Sequence, residues 1–309
     1  MKKLQKIIAI CLVLVFTLTA CSSKSTNNTQ TDKKTVTVTT SFLADMTKEL
    51  VGDKVNIETI IPAGEDPHLY VAKASDLKKI KDADLVLYHG LHFEGKMVEA
   101  LESRGQAVSK DFPKDKINTM EEDGVKLLDP HFWFDIDLYK MAVEAASKEL
   151  STLLPDQADL VKTNTTNYLA KLDELDKWIK TELDKIPAES RYLITPHDAF
   201  TYFGKKYNVK VEAPQGITTE SEVDNKAMIE TVNLIIEKKI KAIFSESTTN
   251  PERMEKLKEA VAARGHNVKV VTGEGQELFS DSLAPQGQAG DTYIEMYKHN
   301  INLIVENLK

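Results

Sequence analysis

From Thr35 onward, short apolar runs alternate with longer stretches whose apolar residues recur at helical spacing. In the N-terminal half this predicts strands and helices as follows: strands Thr35–Phe42, Asn56–Pro62, Leu85–Gly90 and Ala107–Lys110; helices Leu43–Val51, Ser75–Ile80, Glu94–Ser103 and Ile136–Leu153. In the C-terminal half it predicts strands Arg191–Thr195, Val209–Ala213, Ala242–Ser247 and Val268–Thr272, and helices His197–Lys206, Glu222–Lys238, Pro251–Arg264 and Asp291–Leu308. Such alternation is typical of an α/β fold with mainly parallel sheet, here in two lobes of ordinary domain size.

The stretch 156–185 separates the two halves and has neither Gly nor Pro inside it. Its apolar residues keep a helical period, and about 30 helical residues would span roughly 45 Å. We therefore predict an N-terminal lobe at 35–154, a linking helix at 155–187 and a C-terminal lobe at 188–309. A single long helix would restrict hinge motion. The alternative is that this helix belongs to one lobe and the true linker lies elsewhere.

The first 20 residues have the pattern of a secretory signal peptide. Three Lys residues precede an apolar run of about a dozen residues, which is short for a transmembrane helix. Cys21 follows Leu18-Thr19-Ala20, which resembles the lipobox of bacterial lipoproteins, where the thiol receives a diacylglycerol. This predicts a protein anchored by lipid on the extracytoplasmic face of the cell membrane, with a flexible tether at 21–34. The alternative is an ordinary secreted protein with a chance Cys.

The cysteine count and the net charge limit the cross-links that the chain can form and the partners that it can bind. The chain has two Cys, and Cys11 lies inside the predicted signal, so the mature chain could form no internal disulfide. The formal net charge is −8, and removal of the three signal Lys takes it to −11. An acidic protein of this kind argues against nucleic acid as a partner and is compatible with the capture of cations.

The dipeptide Pro-His occurs three times, ending at His68, His131 and His197. With 10 Pro and 7 His in 309 residues, chance placement gives roughly 0.2 such pairs. Two of the three are preceded by Asp66 and Asp129, which makes Asp-Pro-His. Because proline fixes φ, the backbone next to each His is conformationally restricted. Imidazoles held rigidly by separate parts of a chain suit a divalent metal site.

The three His lie at corners where a strand or loop meets a helix, two in the first predicted lobe and one in the second. Ligands of open α/β sheets gather at the carboxyl ends of strands, so we expect a site in the cleft between the lobes. Asp281, in a polar loop after the last predicted strand, is the best local candidate for a fourth ligand. Three imidazoles and a carboxylate suit a tetrahedral or slightly expanded site. Taken singly, each His could equally be a core or surface residue, and the Asp a solvated one.

Several segments together resemble the metal-receptor lipoproteins of bacterial zinc and manganese ABC importers, the cluster A-I or TroA-like solute-binding proteins. The segments are GEDPHLY, LVLYHGLHFEGKM, DPHFWFD, ITPHDAFTYFGKKY, IFSES, LFSDSLA and GDTYIEMYKHNINLI, and they follow the family order. The resemblance implies two lobes joined by a rigid helix, and metal ligation by His68, His131, His197 and Asp281. It also implies a monomer without catalytic activity that delivers its cargo to a membrane permease with a cytoplasmic ATPase.

The resemblance leaves the metal open between Mn²⁺ and Zn²⁺. Family members differ in the residue type of their third ligand. Here it is His197, so the chain offers three nitrogens and one carboxylate, a set that favours zinc. Family members with this set nevertheless include manganese importers. Zinc receptors often carry a His-rich loop between the first two ligands, whereas residues 95–129 contain no His.

Glu246 ends a predicted strand, and we expect it to hydrogen-bond a ligating imidazole. The alternative is that its loop only leads into the helix that starts near Asn250-Pro251. His89 and His92, near the rim of the predicted cleft, are not expected to be ligands.

Two other classes of function are alternatives to a binding protein. An extracytoplasmic zinc hydrolase would need an open coordination position; the chain has no HExxH motif, and a fourth protein ligand would fill that position. A surface adhesin or siderophore receptor would leave the three Pro-His corners unexplained, although adhesion could coexist with transport. The chain has no Walker A pattern, so ATP hydrolysis would belong to a partner.

Overall fold

The N-terminal half, residues 35–154, is built on a parallel sheet. The computed structural model describes residues 33–122 and 124–309. The first elements are β1 (Thr35–Val38), α1 (Ser41–Val51), β2 (Asn56–Thr59), α2 (Ala74–Asp82), β3 (Leu85–Tyr88), α3 (Val98–Glu102) and β4 (Gln106–Ala107). The strands run in the order β2-β1-β3-β4, and every neighbouring pair is parallel. The predicted α/β class with parallel sheet is therefore confirmed.

The predicted signal peptide, Cys21 and the tether up to residue 32 lie outside the described residues. In the described ranges 33–122 and 124–309, no helix combines the length and apolar character that a membrane span requires.

An antiparallel hairpin that the sequence pattern did not predict follows the first sheet. Its strands are β5 (Thr119–Glu122) and β6 (Val125–Leu128). Beside it, the backbone N–H of Asn118 donates a hydrogen bond to the hydroxyl oxygen of Tyr202, 2.9 Å away. The hairpin thus reaches from the N-terminal half to a residue of the C-terminal half.

The N-terminal half ends with α4 (Ile136–Leu153), and a long helix, α5 (Ala158–Leu183), of 26 residues connects the two halves. A 3-10 turn, Pro155–Gln157, precedes α5. One face of α5 is buried, and it packs against α1 and α4. The long helix expected from the sequence is present, and the lobe boundaries at 35–154, 155–187 and 188–309 stay a prediction.

The C-terminal half, residues 188–309, contains two pairs of parallel strands with helices around them. Its elements are β7 (Tyr192–Ile194), α6 (Thr201–Tyr207), β8 (Lys210–Glu212), α7 (Asn225–Lys238), β9 (Ala242–Phe244), α8 (Glu252–Ala262), β10 (Lys269–Val271) and α9 (Tyr293–Leu308). β7 pairs with β8, and β9 pairs with β10. Single parallel bridges lengthen the ladders beyond the strands, from His197 to Gln215 and from Glu246 to Leu278.

The helix predicted to begin at His197 starts at Thr201 instead. His197 still pairs with Gln215, and the next residue, Asp198, donates its N–H to the carbonyl of Gly216 at 3.2 Å. The ladder hydrogen bonds keep the chain extended past the end of β7. His197 therefore lies at the carboxyl end of a strand and not inside a helix.

Both halves contribute to one hydrophobic core. The indole N–H of Trp133 donates to the carbonyl of Ser280 at 2.9 Å. In return, Tyr293 and Tyr297 of α9 donate their hydroxyls to the carbonyls of Trp133 and Phe134 at 2.6 and 2.8 Å. α9 also packs against α5. The segment after His131 is thereby fixed to the C-terminal half.

Glu94 joins the ends of β1 and β3 although its side chain is fully buried. One carboxylate oxygen accepts the hydroxyl of Thr39 at 2.8 Å and the backbone N–H of His89 at 2.6 Å. Burial raises the pKa of Glu94 from 4.5 to about 7, because the charged form loses its water.

We expect Glu94→Gln to make the protein's stability less dependent on pH. With a folded pKa above the unfolded value, the Glu94 contribution is complete below pH 4.5 and is lost as the pH rises through 7. Between pH 5 and pH 8, the difference in the free energy of unfolding between variant and wild type should therefore shift by about 2 kcal/mol in favour of the variant. Urea denaturation of metal-free protein at both pH values measures this gain, with Glu259→Gln on the exposed face of α8 as control. An equal difference at both pH values would contradict it.

Candidate metal centre

His68 enters the site from the loop after β2. Its backbone N–H donates to Oδ1 of Asp66 at 2.9 Å, which closes a tight turn at the Asp-Pro-His corner. Gly95 lies against the same residue: with φ at +44°, a Cβ there would be 2.6 Å from the carbonyl oxygen of His68. Only glycine allows this approach without displacing His68. The His68 side chain is buried, with 3% of its surface exposed.

His131 follows β6 and is held by Asp129, two residues earlier. Oδ1 of Asp129 accepts the backbone N–H of His131 at 3.0 Å and the ring Nδ1–H at 2.8 Å. A carboxylate can only accept, so Nδ1 carries the proton and Nε2 faces the site with its lone pair when the ring is neutral. The chain therefore fixes both the tautomer and the direction of this imidazole.

His197 is oriented in the same way by Glu246, at the carboxyl end of β9. Nδ1 of His197 lies 2.5 Å from Oε2 of Glu246, and the hydroxyl of Ser280 donates to the same oxygen at 3.0 Å. All three residues are fully buried. The structure thus places Glu246 directly behind the third imidazole.

Asp281 faces all three imidazoles from the loop that follows β10. Its Oδ1 lies 3.3 Å from Nε2 of His131, and its Oδ2 lies 3.2 Å from Nε2 of His197 and 3.9 Å from Nε2 of His68. One ligand atom from each of the four residues fits within 4.8 Å of all the others. The structure therefore brings together all four ligands predicted from the sequence.

The atoms that face one another have no hydrogen-bond partner in the described part of the chain. They are Nε2 of His68, His131 and His197 and both oxygens of Asp281. Buried polar atoms without partners cost free energy unless something satisfies them. Three nitrogens and a carboxylate around one point are a fitting donor set for a first-row divalent cation.

Protons can take the place of a metal within the site. Burial would lower the pKa of His131, but the hydrogen bond to Asp129 and the charge of Asp281 raise it to about 9. For His68, burial lowers the pKa to about 3, because the attraction of Asp281 is too small to offset burial and the repulsion of the other two imidazoles. Burial would raise the pKa of Asp281, but His197 and His131 hold it well below its usual range. A metal that binds here must therefore displace protons.

The two further histidines occupy different environments, and neither belongs to the ligand group. His89 is not at a rim: it is buried among Phe42, Phe93 and Trp133, and its Nε2 lies 2.7 Å from the hydroxyl of Thr40. His92 is exposed and lines a cavity of about 440 Å³ next to His68.

The function of the aspartates in the two Asp-Pro-His motifs was not predicted from the sequence. Asp66 and Asp129 each hold the following His, as described above. The signal was present, because a repeated Asp two residues before His is the spacing at which a carboxylate reaches that residue's N–H.

The fold and the buried His₃Asp group define an α/β metal-binding protein. The profile of the ZnuA family, described as zinc-uptake complex component A, periplasmic, matches residues 36–307. The chain belongs to this family.

Individual relatives agree over almost the whole chain. The manganese-binding lipoprotein MntA of Bacillus subtilis (strain 168) is 38% identical over 310 residues, which is 99% of each chain. The zinc-binding protein TroA of Treponema pallidum (strain Nichols) is 38% identical over 283 residues, 90% of each. A solved TroA structure from a study of its metal-binding specificity is 64% identical and superposes with a TM-score of 0.89, over 90% of this chain and 100% of that one. The family resemblance inferred from the sequence is confirmed.

We expect Gly95→Ala to weaken metal binding more than an equivalent change elsewhere. The added Cβ would push the His68 carbonyl and move the imidazole away from Asp281. The matched control is Gly52→Ala, which has a similar positive φ (+57°) but nothing within 4 Å of the new Cβ. Both variants should lose about 1 kcal/mol or more of folding stability from backbone strain.

Only Gly95→Ala should in addition lose zinc affinity, measured by titration against a chelating dye. Equal affinities of the two variants would show that Gly95 does not position His68.

Proposed function

We propose that this protein is the extracytoplasmic receptor of an ABC importer and that it captures one divalent transition metal, Mn²⁺ or Zn²⁺, through His68, His131, His197 and Asp281. The observation that carries this proposal is the convergence of five buried ligand atoms without partners. A cation at their centre would satisfy all of them at once.

The function in transport is supported by what the relatives are. The family is described as a component of a zinc-uptake complex, and relatives are a manganese-binding lipoprotein and a zinc-binding protein. We infer that the cargo passes to a membrane permease, driven by a cytoplasmic ATPase, and that the receptor acts as a monomer anchored through lipidated Cys21. In this arrangement residues 35–154 and 188–309 act as two lobes around the site, linked by 155–187.

A non-catalytic function follows from the donor set. Hydrolytic zinc sites use three protein ligands and keep one position for water. Here Asp281 approaches the same point as the three imidazoles, and the fourth position would be taken by protein. We therefore propose binding and release without turnover.

The donor set also bears on the choice of metal. Three nitrogens and one carboxylate bind zinc more tightly than manganese by the Irving–Williams order. We expect zinc to win in equal competition in vitro, while the metal carried in the cell follows availability and release.

Metal content after loading tests the proposed site. The soluble form from residue 22 is stripped of metal and offered Zn²⁺ and Mn²⁺, separately and together, and its metal is counted by elemental mass spectrometry. We expect one equivalent in the wild type and its loss in His68→Ala and Asp281→Ala. His92→Ala is the matched control, since it removes an exposed imidazole beside the same cavity and should bind as wild type. Absence of stoichiometric metal in the wild type would refute the proposal.

Glu246→Gln tests the carboxylate behind His197. Loss of the charged partner of a ligating imidazole typically weakens metal binding by about 10- to 100-fold, because the ring becomes less basic and less firmly oriented. We expect a reduction of this size in zinc affinity, with Glu259→Gln as an exposed control. Unchanged affinity would mean that Glu246 serves only the local fold.

A further inference from the structure

The two Asp-Pro-His motifs carry the same hydrogen-bond pattern. In each, Oδ1 of the aspartate accepts the backbone N–H of the His two residues later, at 2.9 Å from Asp66 to His68 and 3.0 Å from Asp129 to His131. This leaves Oδ2 of each aspartate available for a second partner.

In both motifs the second partner is a threonine of the C-terminal half. The hydroxyl of Thr219, in the segment between β8 and α7, donates to Oδ2 of Asp66 at 2.6 Å. The hydroxyl of Thr201, the first residue of α6, donates to Oδ2 of Asp129. We call these the two threonine–aspartate pairs. Each of them bonds one half of the chain to the other immediately beside a ligand.

Both threonines belong to segments that also fix His197. Gln215, which pairs with His197 in the ladder, donates its side-chain amide to the carbonyl of Thr219 at 3.1 Å. Thr201 lies four residues after His197, and its neighbour Tyr202 donates its hydroxyl to the carbonyl of Asp129 at 3.1 Å. The threonine–aspartate pairs therefore connect the ligands of the N-terminal half with the segments around the third imidazole.

We propose that Asp66 and Asp129 are positioning residues, and that the threonine–aspartate pairs hold the two halves together around the captured metal and so limit the rate of its release. This rests on the proposed function of the site. His68 and His131 can leave the metal only if their corners move. Such a movement breaks a hydrogen bond from a hydroxyl to a carboxylate that is buried at Asp129 and half-buried at Asp66, and hydrogen bonds to charged groups are stronger than those between neutral groups.

Isosteric substitution separates the effect of the hydroxyl from the effect of side-chain packing. Thr219→Val and Thr201→Val keep the shape and remove the donor, whereas Thr219→Ser and Thr201→Ser keep the donor. The soluble protein is loaded with Zn²⁺, mixed with excess chelator, and the release rate is followed by stopped-flow. We expect each Val variant to bind one equivalent and to release it about tenfold faster than wild type, and each Ser variant to release it within about twofold of wild type.

A double-mutant cycle tests whether the Asp66–Thr219 pair acts as a unit and, through Asp66→Asn alone, also covers a Thr219→Val variant that fails to fold. Asp66→Asn cannot accept the Thr219 hydroxyl in the same way, since one oxygen is replaced by an amide donor. Asp66→Asn should therefore accelerate release on its own, and its combination with Thr219→Val should add little to either single change.

The control for the loss of a buried hydroxyl is Thr231→Val in α7. Its hydroxyl donates to the carbonyl of Ala227 at 2.8 Å, within one helix. Release at the wild-type rate from both Val variants, equal rates from Val and Ser variants, or equal acceleration by Thr231→Val would each overturn the inference. A wild type that takes up no metal would overturn the proposed function itself, and the inference with it.

Discussion

Three imidazole nitrogens and both oxygens of Asp281 meet at one buried point, and their need for a positive charge governs the structure around them. With neutral rings, all five atoms present lone pairs to one another, and none has a hydrogen-bond partner in the described ranges. Without a cation, protons must supply the charge, which is why the pKa of His131 is raised while that of Asp281 is held low. Proton and metal therefore compete for the same atoms.

Holding such a group together requires support from outside it. Asp129 and Glu246 fix two of the rings through Nδ1, and Gly95 lets the backbone of its loop contact His68. The core shared by both halves adds rigidity, since Tyr293 and Tyr297 bond the carbonyls just after His131. A site assembled from both halves is thereby kept compact by packing that does not involve the ligands themselves.

Sequence reasoning went furthest where the signal was local. Proline restricts the backbone at three corners, so the Pro-His repeats pointed to stiff imidazoles whatever the rest of the chain did, and alternating apolar runs predicted the parallel strands. It failed where distant segments decide. The helix after His197 starts late because Gln215, 18 residues further on, continues the ladder. The β5–β6 hairpin is half polar, with a largely exposed second strand and no clear strand period.

Thr201 and Thr219, the hydrogen-bond partners of the two aspartates, could not be predicted from the sequence for the same reason. A threonine that bonds an aspartate 72 or 153 residues away leaves no periodic trace in the sequence. His89 illustrates the opposite case: a His beside a glycine at a strand end suggests a rim, yet aromatic neighbours from several segments enclose it. Only the assembled fold distinguishes these environments.

A receptor for a transported metal must bind the metal tightly and must also release it. Different contacts around the site serve these two requirements. Affinity comes from the donor atoms, and three nitrogens with a carboxylate would bind zinc too well to release it readily if the group were rigid throughout. In the release mechanism proposed above, the rate depends on the contacts between the halves, because a ligand set drawn from both halves loses its hold on the metal once they separate. The polar bonds of the Asp-Pro-His corners can be exchanged for bonds to water as the halves part, whereas the aromatic packing around Trp133 cannot. In that mechanism the Asp-Pro-His corners are the contacts that open, and the apolar core around Trp133 keeps the two halves aligned.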